Sequence, residues 1–563
     1  MMGDVLFALR SAALCEGAGG AAAVRPTCPG ERGTLAEAYV RMARVASSLA
    51  RVLGSAGGKR EGARIAVLAS DTREGMELIF AVAMTGRSAA LLNRRWSVRE
   101  MASAANVSRA TAVVHDGPHA EAAAHVARRI GGAALAHARL LDEHNDAEEH
   151  TPPSAVPRAP SGEAFAIFTS GTTGTPKATR LSHAAVCLQS AAKLLIVGYD
   201  DRDVYLHNAP LYHVGGLSSM HAAWCARCAH VFYSGGYSAP ACLAELTHPK
   251  QAVTAFIAVP AMLVDLLHAC DLRDAASATP SSLTFPSLRR ILVGGGALSH
   301  ADDALALRRR APNARLVAAY GLTEATSSVT FGELRAPPDD AARNGVAVGL
   351  PPPGIELAFR RDDGSVAAFA GDAGRGEVLV RGGIAMLGYV GNDAATAAAF
   401  HGEWLRTGDV ASCDPSTGEL RLHGRLSERI RTGGESVEPM EVEAALVTLD
   451  AARLEWAVVG VADRRLGQRV CAVYAPRGGG GGGARQGRDD QQPATPPDLD
   501  GVAAHCRRAG LAGYKLPRAI VSAKATLGRD HLPRGANGKL LRKVLSREVA
   551  AALAEKPPPA SKL

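Results

Sequence analysis

No stretch of this sequence approaches the ~18–20 consecutive apolar residues that a membrane-spanning helix needs. No concentrated basic stripe with interleaved aromatic residues points to nucleic acid. The net charge of +8, from 63 Lys+Arg against 55 Asp+Glu, suits anionic ligands but is too mild to choose among them. Ten cysteines are scattered over the chain, a usage that fits a reducing compartment. Cys225-Ala-Arg-Cys228, with His221 and His230 nearby, invites a metal reading, yet no second cysteine pair stands at zinc-site spacing. Small core residues on a helix are the better expectation. The common P-loop, with Lys-Ser/Thr directly after a glycine, is missing too. No internal repeat is visible.

With 47% hydrophobic and 21% charged residues, the composition reads as soluble and globular, and 563 residues suffice for two or three domains. Thr34-Leu35-Ala36-Glu37 is a capping box opening a helix, with Leu35, Tyr39, Met42, Val45, Leu49 and Val52 at helical spacing. Strands are expected at 64–69, 89–92, 164–168, 255–259, 290–293 and 315–319, and a helix at 74–84. Alternating strands and helices predict an α/β fold with largely parallel sheets. From 377 to 390 the pattern becomes β-rich, so a small β-rich subdomain is expected there. Residues 143–162 read as a surface loop, and the glycine-rich stretch at about 477–498 as an insert. The expected organisation is a flexible segment at 1–33 that is open to a targeting role, a large domain at 34–424, a small mobile α+β domain at 425–555, and a tail at 556–563.

The most informative string is Thr169-Ser170-Gly171-Thr172-Thr173-Gly174-Thr175-Pro176-Lys177, directly after an apolar strand. Hydroxyl donors, exposed N–H groups and one cation on a flexible loop are what a polyphosphate needs. Pro176 before the lysine and Ala178 after it set this loop apart from a P-loop. Further segments follow in order: Asn208–Gly216, which contains His213; Gly294-Gly295-Gly296; Tyr320-Gly321-Leu322-Thr323-Glu324; Trp404–Asp409; Gly424-Arg425; Gly433-Gly434-Glu435; and Gly538-Lys539. In this order they resemble the adenylate-forming superfamily of acyl-CoA synthetases, peptide-synthetase adenylation domains and beetle luciferases. The resemblance spans roughly residues 35–550.

The resemblance implies ATP, Mg²⁺ and coenzyme A, and a reaction through an acyl-adenylate. Attack of a carboxylate on the α-phosphate of ATP releases pyrophosphate, and a thiol then displaces AMP. It also implies roles for residues. Thr169, Ser170, Gly171, Thr172, Thr173, Gly174 and Lys177 would cradle the β- and γ-phosphates. Thr323 would contact the α-phosphate and Glu324 would hold Mg²⁺. Tyr320 and Gly321 would flank adenine, with Gly294, Gly295 and Gly296 along the base edge. Asp409 and Arg425 would hold the ribose. Lys539 would be the lysine of the adenylation step, and His213 would lie by the acyl carboxylate. The Gly433-Gly434 loop would serve thioester formation after rotation at a hinge, where Ser427 stands in place of the usual Asp or Lys.

For the acid, Leu91–Ser97 and Tyr320–Phe331 are similar to plant and algal 2-succinylbenzoate–CoA ligases of phylloquinone synthesis. Ser327 and Ser328 are expected to face an acyl group that carries a ketone and two carboxylates. A helix start at these serines, a 4-coumarate-like or fatty-acyl-CoA ligase, a carrier-protein adenylation domain and a non-catalytic acyl-adenylate binder stand as alternatives. The terminal Ser561-Lys562-Leu563 has the form of a peroxisomal signal read by an import receptor, and chloroplast targeting is an alternative.

Overall fold

The computed structural model describes residues 23–26, 33–55, 63–142, 162–169, 176–233, 236–276, 283–296, 301–334, 345–369, 374–433, 435–449, 454–476, 498–535 and 540–555. Four sheets organise these residues. The first carries parallel strands Ala255–Ala258, Arg290–Gly294 and Arg315–Leu322, with Ser327–Glu333 antiparallel at its edge. Ala23–Pro26 joins it beside Ala229–Phe232. The second holds Arg64–Leu68, Ser88–Leu91 and Glu163–Thr169 in parallel, then Lys177–Ser182 and Gly388–Tyr389 in antiparallel order. The third, from Val346 to Arg425, is antiparallel. The fourth belongs to a smaller C-terminal α+β subdomain with helices Pro439–Val447, Leu499–Arg508 and Arg542–Glu555.

The expected α/β class holds. The β-rich part is larger than expected, because strands Ile355–Arg360, Arg375–Gly382, Trp404–Cys413 and Leu420–Arg425 all pair into one sheet. The capping box at Thr34 forms: Thr34 N–H donates to Glu37 Oε2 at 2.7 Å, and Glu37 N–H to Thr34 Oγ1 at 3.1 Å. It opens the helix Leu35–Ser55. Of the cysteine pair expected on a helix, Cys225 ends the helix Val214–Cys225, whereas Cys228 lies past it, before the strand Ala229–Phe232, and its thiol donates to the Asp200 carbonyl at 3.3 Å. No group of metal-holding side chains occurs among the described residues.

At the start of the phosphate-loop strand a buried carboxylate fixes four strands at once. Glu163 accepts from Arg64 Nε and Nη2, both at 2.7 Å. It also accepts from Ser88 Oγ at 2.8 Å and Arg180 Nε at 2.8 Å. Burial pushes its carboxyl up, but the hydrogen bonds and charge of Arg64, with Arg180 and Ser88, outweigh this and hold it below its ordinary value. Its contribution to stability is therefore present above the unfolded carboxyl's pKa and lost as pH falls through the folded one. Glu163→Ala would leave Arg64 and Arg180 facing each other in the interior. It is expected to cost about 3–5 kcal/mol, read as a lowered thermal unfolding midpoint at neutral pH.

Candidate active site

The phosphate-loop strand does not lead into a helix. It turns back as a hairpin, with Thr169 paired to Lys177 across antiparallel strands. Ser170, Gly171, Thr172, Thr173 and Gly174, between these strands in the sequence, lie outside the described residues. At the base of the hairpin, Thr169 Oγ1 is buried with no hydrogen-bond partner among the described residues. Such a group has an open claim on a ligand.

Lys177 Nζ sits 4.3 Å from the centroid of the Tyr389 ring. The hydroxyl of Tyr389 donates to Glu324 Oε1 at 2.8 Å. Tyr389 reaches this place because Gly388–Tyr389 pairs with Thr179 and Arg180 at the edge of the second sheet. One aromatic side chain thus spaces the loop lysine from the candidate metal ligand. Burial and the Glu324 carboxylate push the Tyr389 phenol well above its ordinary value, so it is a committed donor. Among the described residues Tyr389 is the side chain that meets Glu324, which leaves Oε2 able to take a cation.

Thr323–Ala325 forms a short 3-10 turn after the strand Arg315–Leu322. The chain reverses through Thr326 (φ 53°) and Ser327 (φ 117°), rare conformations for residues with a side chain. Thr326 is held there by its N–H to Thr323 O at 3.0 Å and by its Oγ1 to Ile384 O at 2.7 Å. Gly321 makes the reversal feasible, since a Cβ on it would lie 1.6 Å from Ser327 O. Ser327 and Ser328 begin a strand, which removes the alternative of a helix start. The backbone of Ser328 is gripped at both ends by the Gln189 side chain, which accepts from Ser328 N at 3.1 Å and donates to Ser328 O at 2.6 Å.

Tyr320 Oη donates to Asp409 Oδ2 at 2.8 Å, and Arg425 Nε lies 2.9 Å from Asp409 Oδ1. Asp409 and Arg425 are register partners in neighbouring strands, so backbone pairing sets up the ion pair. Gly294 ends its strand, and Gly295 (φ 79°) would bring a Cβ within 3.2 Å of Val259 Cγ1. The strand end is thus bare of side chains, as a flat base requires.

His213 precedes the helix Val214–Cys225. Its ring lies 4.6 Å from that of Tyr212. The preceding segment is locked by Asp71, which accepts from Leu211 N at 2.7 Å and from Arg94 Nη2 at 2.6 Å. Burial, with Arg95 nearby, pushes the imidazole down to about 4 against the opposing pull of Asp71, so His213 is neutral at pH 7. Ser427 lies in the 3-10 turn Leu426–Glu428, directly after Arg425. Gly433 (φ 59°) turns the chain between Ile430–Thr432 and Glu435–Val437. Gly434, Lys539, Ser561, Lys562 and Leu563 lie outside the described residues, as does the insert at 477–497. Arg542, three positions past Lys539, pairs with Glu428 at 2.8 Å and with Glu443.

Thr169, Lys177, Tyr320, Thr323, Glu324, Asp409 and Arg425 thus gather where three sheets meet. The sequence reading missed Tyr389, Gln189 and the Asp71–Arg94 pair. Tyr389 carried no local signal, because its value comes from a pairing across the second sheet.

The chain matches the sequence pattern of the family described as AMP-binding enzyme over residues 15–390. It is 32% identical over 528 residues to the Arabidopsis thaliana 2-succinylbenzoate–CoA ligase, chloroplastic/peroxisomal, covering 87% of this chain and 89% of the relative. It is 30% identical over 516 residues to an Amycolatopsis feruloyl-CoA synthase, covering 90% and 92%. Among solved structures it superposes on the Bacillus subtilis o-succinylbenzoate CoA synthetase in complex with its acyl-adenylate intermediate. That match has a TM-score of 0.73 and 24% identity, and covers 99% of each chain. ATP-bound MatB from Rhodopseudomonas palustris gives a TM-score of 0.76 at 22% identity, covering 98% of this chain and 99% of that one. The chain belongs to the AMP-binding enzyme family. It is an AMP-forming acyl-CoA synthetase, an ATP- and Mg²⁺-dependent ligase that joins a carboxylate to coenzyme A.

Tyr389→Phe keeps the ring under Lys177 and removes the bond to Glu324. It is expected to raise the Mg²⁺ concentration for half-maximal AMP formation by about tenfold. Unchanged Mg²⁺ dependence would show that Tyr389 does not position Glu324.

Proposed function

We propose that this synthetase acts on 2-succinylbenzoate, forming 2-succinylbenzoyl-CoA, AMP and diphosphate in phylloquinone synthesis. The observation that carries the choice is the pair Ser327-Ser328, which begins a strand directly after the Thr323-Glu324 turn. Small hydroxyl residues suit an acyl group bearing a ketone and a second carboxylate; a fatty acid would favour an apolar lining. The Arabidopsis relative's name supports the same acid. The feruloyl-CoA synthase supports the second reading, a cinnamate-type acid.

In this reading Thr169, residues 170–174 and Lys177 bind the β- and γ-phosphates, and Thr323 the α-phosphate. Tyr320 and the Gly294–Gly296 edge bind adenine, while Asp409 and Arg425 orient the ribose. Glu324 would hold Mg²⁺, which when bound offsets charge on the phosphate oxygens. Neutral His213 can lie beside the acyl carboxylate without competing as a second cation. Lys539 brings an ammonium to the carboxylate as it meets the α-phosphate. Rotation at Ser427, between a domain at 34–424 and one at 425–555, then exchanges Lys539 for the Gly433-Gly434 loop and admits the CoA thiol. For the compartment we propose the peroxisome, read through Ser561, Lys562 and Leu563 by an import receptor, with a chloroplast pool as the alternative. The Arabidopsis relative's name includes both compartments.

Purified protein with ATP, Mg²⁺, CoA and a panel of carboxylates tests the substrate, with AMP and thioester as readouts. Turnover of cinnamates or fatty acids without 2-succinylbenzoate would refute the assignment. Lys539→Ala is expected to slow adenylation by about 10²–10³-fold while sparing thioester formation from supplied acyl-adenylate. Equal loss of both half-reactions would contradict the rotation.

A further inference from the structure

The helix His183–Ile196 buries a lysine with no carboxylate beside it among the described residues. Lys193 is 0% exposed. Its ammonium donates to Ser218 Oγ and, at 3.3 Å, to Ser327 Oγ. Burial pushes it down to about 7, and no charged group acts on it. A buried cation met only by hydroxyls is costly, and a nearby anion would offset that cost.

The two serines differ in what they do with their own protons. Ser218 Oγ donates to Val214 O at 2.7 Å within its helix, so its proton is committed. Ser327 Oγ accepts from Lys193, and no acceptor among the described residues takes its proton. An ammonium has only donors to offer, so it holds the Ser327 oxygen as acceptor and leaves the Ser327 O–H to donate elsewhere. Ser327 is 7% exposed, which leaves it reachable where Lys193 is not. It lies three residues past Glu324. Ser218 lies five residues past His213, about 7.5 Å along the helix.

We propose that Ser327, backed by Lys193, is the hydroxyl donor that receives a second acceptor group of the substrate, a distal carboxylate, and so selects diacids over monoacids. This deepens the carboxylate–CoA ligase reading and rests on it. Ser327 touches the substrate. Lys193 is a positioning residue that, kept protonated by the arriving carboxylate, fixes the direction of the Ser327 proton and sets a positive charge behind it.

The test compares kcat/KM for 2-succinylbenzoate with that for 4-oxo-4-phenylbutanoate, which lacks the second carboxylate. Other keto-diacids are each paired in the same way with their monoacid. Wild-type enzyme is expected to prefer each accepted diacid, mainly through KM. Lys193→Met and Ser327→Ala are each expected to lower the diacid-to-monoacid ratio by about 30-fold or more. The double variant is expected to lose little beyond either single one, because the two act as a unit. A purely structural Lys193 would depress both acids together and leave the ratio unchanged, which would overturn the proposal. Additive losses in the double variant would overturn it as well. Should Lys193→Met fail to fold, the wild-type preference and Ser327→Ala decide, since absence of a diacid preference also overturns it. Rejection of 2-succinylbenzoate with preference for another keto-diacid would refute the substrate assignment and leave the anion-selecting serine standing.

Discussion

The carboxylate of Asp409 ties the site together. It takes the Tyr320 hydroxyl from the first sheet and the Arg425 guanidinium from the third, so two sheets are pinned at one group. Its burial makes both bonds strong and makes their loss costly. Because Tyr320 is held by its hydroxyl, its ring has a fixed orientation before any ligand arrives. Preorganisation of this kind lowers the ordering cost of binding.

Tyr389 does for the second sheet what Tyr320 does for the third. It bonds to Glu324 on the first sheet and stacks under Lys177 on its own. Each sheet therefore brings charges to the seam on an aromatic spacer. The spacing keeps Lys177 and Glu324 from collapsing into an ion pair, so both remain available to ligands of opposite sign. Glu163, at the other end of the phosphate-loop strand, holds four strands in register and gives the hairpin a rigid base.

Much of this was legible where the chemistry is local. The hydroxyl-glycine-lysine loop, the Thr323-Glu324 turn and the capping box at Thr34 each carry their meaning within a few positions. What sequence could not place depends on pairing between distant segments. Tyr389 sits in a plain Leu387-Gly388-Tyr389 string, and only its register with Thr179 brings it to the site. The antiparallel sheet was underestimated for the same reason, since its short strands become one body only by pairing. Lys193 did leave a trace. Gln189, Ser190 and Lys193 share the helical stripe of Val186, so polar side chains stand where an apolar face was due. Buried polar residues on an apolar stripe need partners, and these found Ser328, His221 and Ser327.

The arginine at 542 carries a mechanical consequence. Its ion pair with Glu428 ties that residue to the C-terminal subdomain, as the bond to Glu443 ties Arg542 itself. On the other side, Arg425 is anchored to Asp409. Leu426 and Ser427 therefore lie between two clamps that grip opposite bodies. In the proposed rotation the torsion would fall on their backbone dihedrals, which would give the pivot a length of two residues. The Arg429 contact to Asp362 at 3.2 Å and the Arg375 contact to Glu438 at 3.6 Å would both have to be released in that rotation.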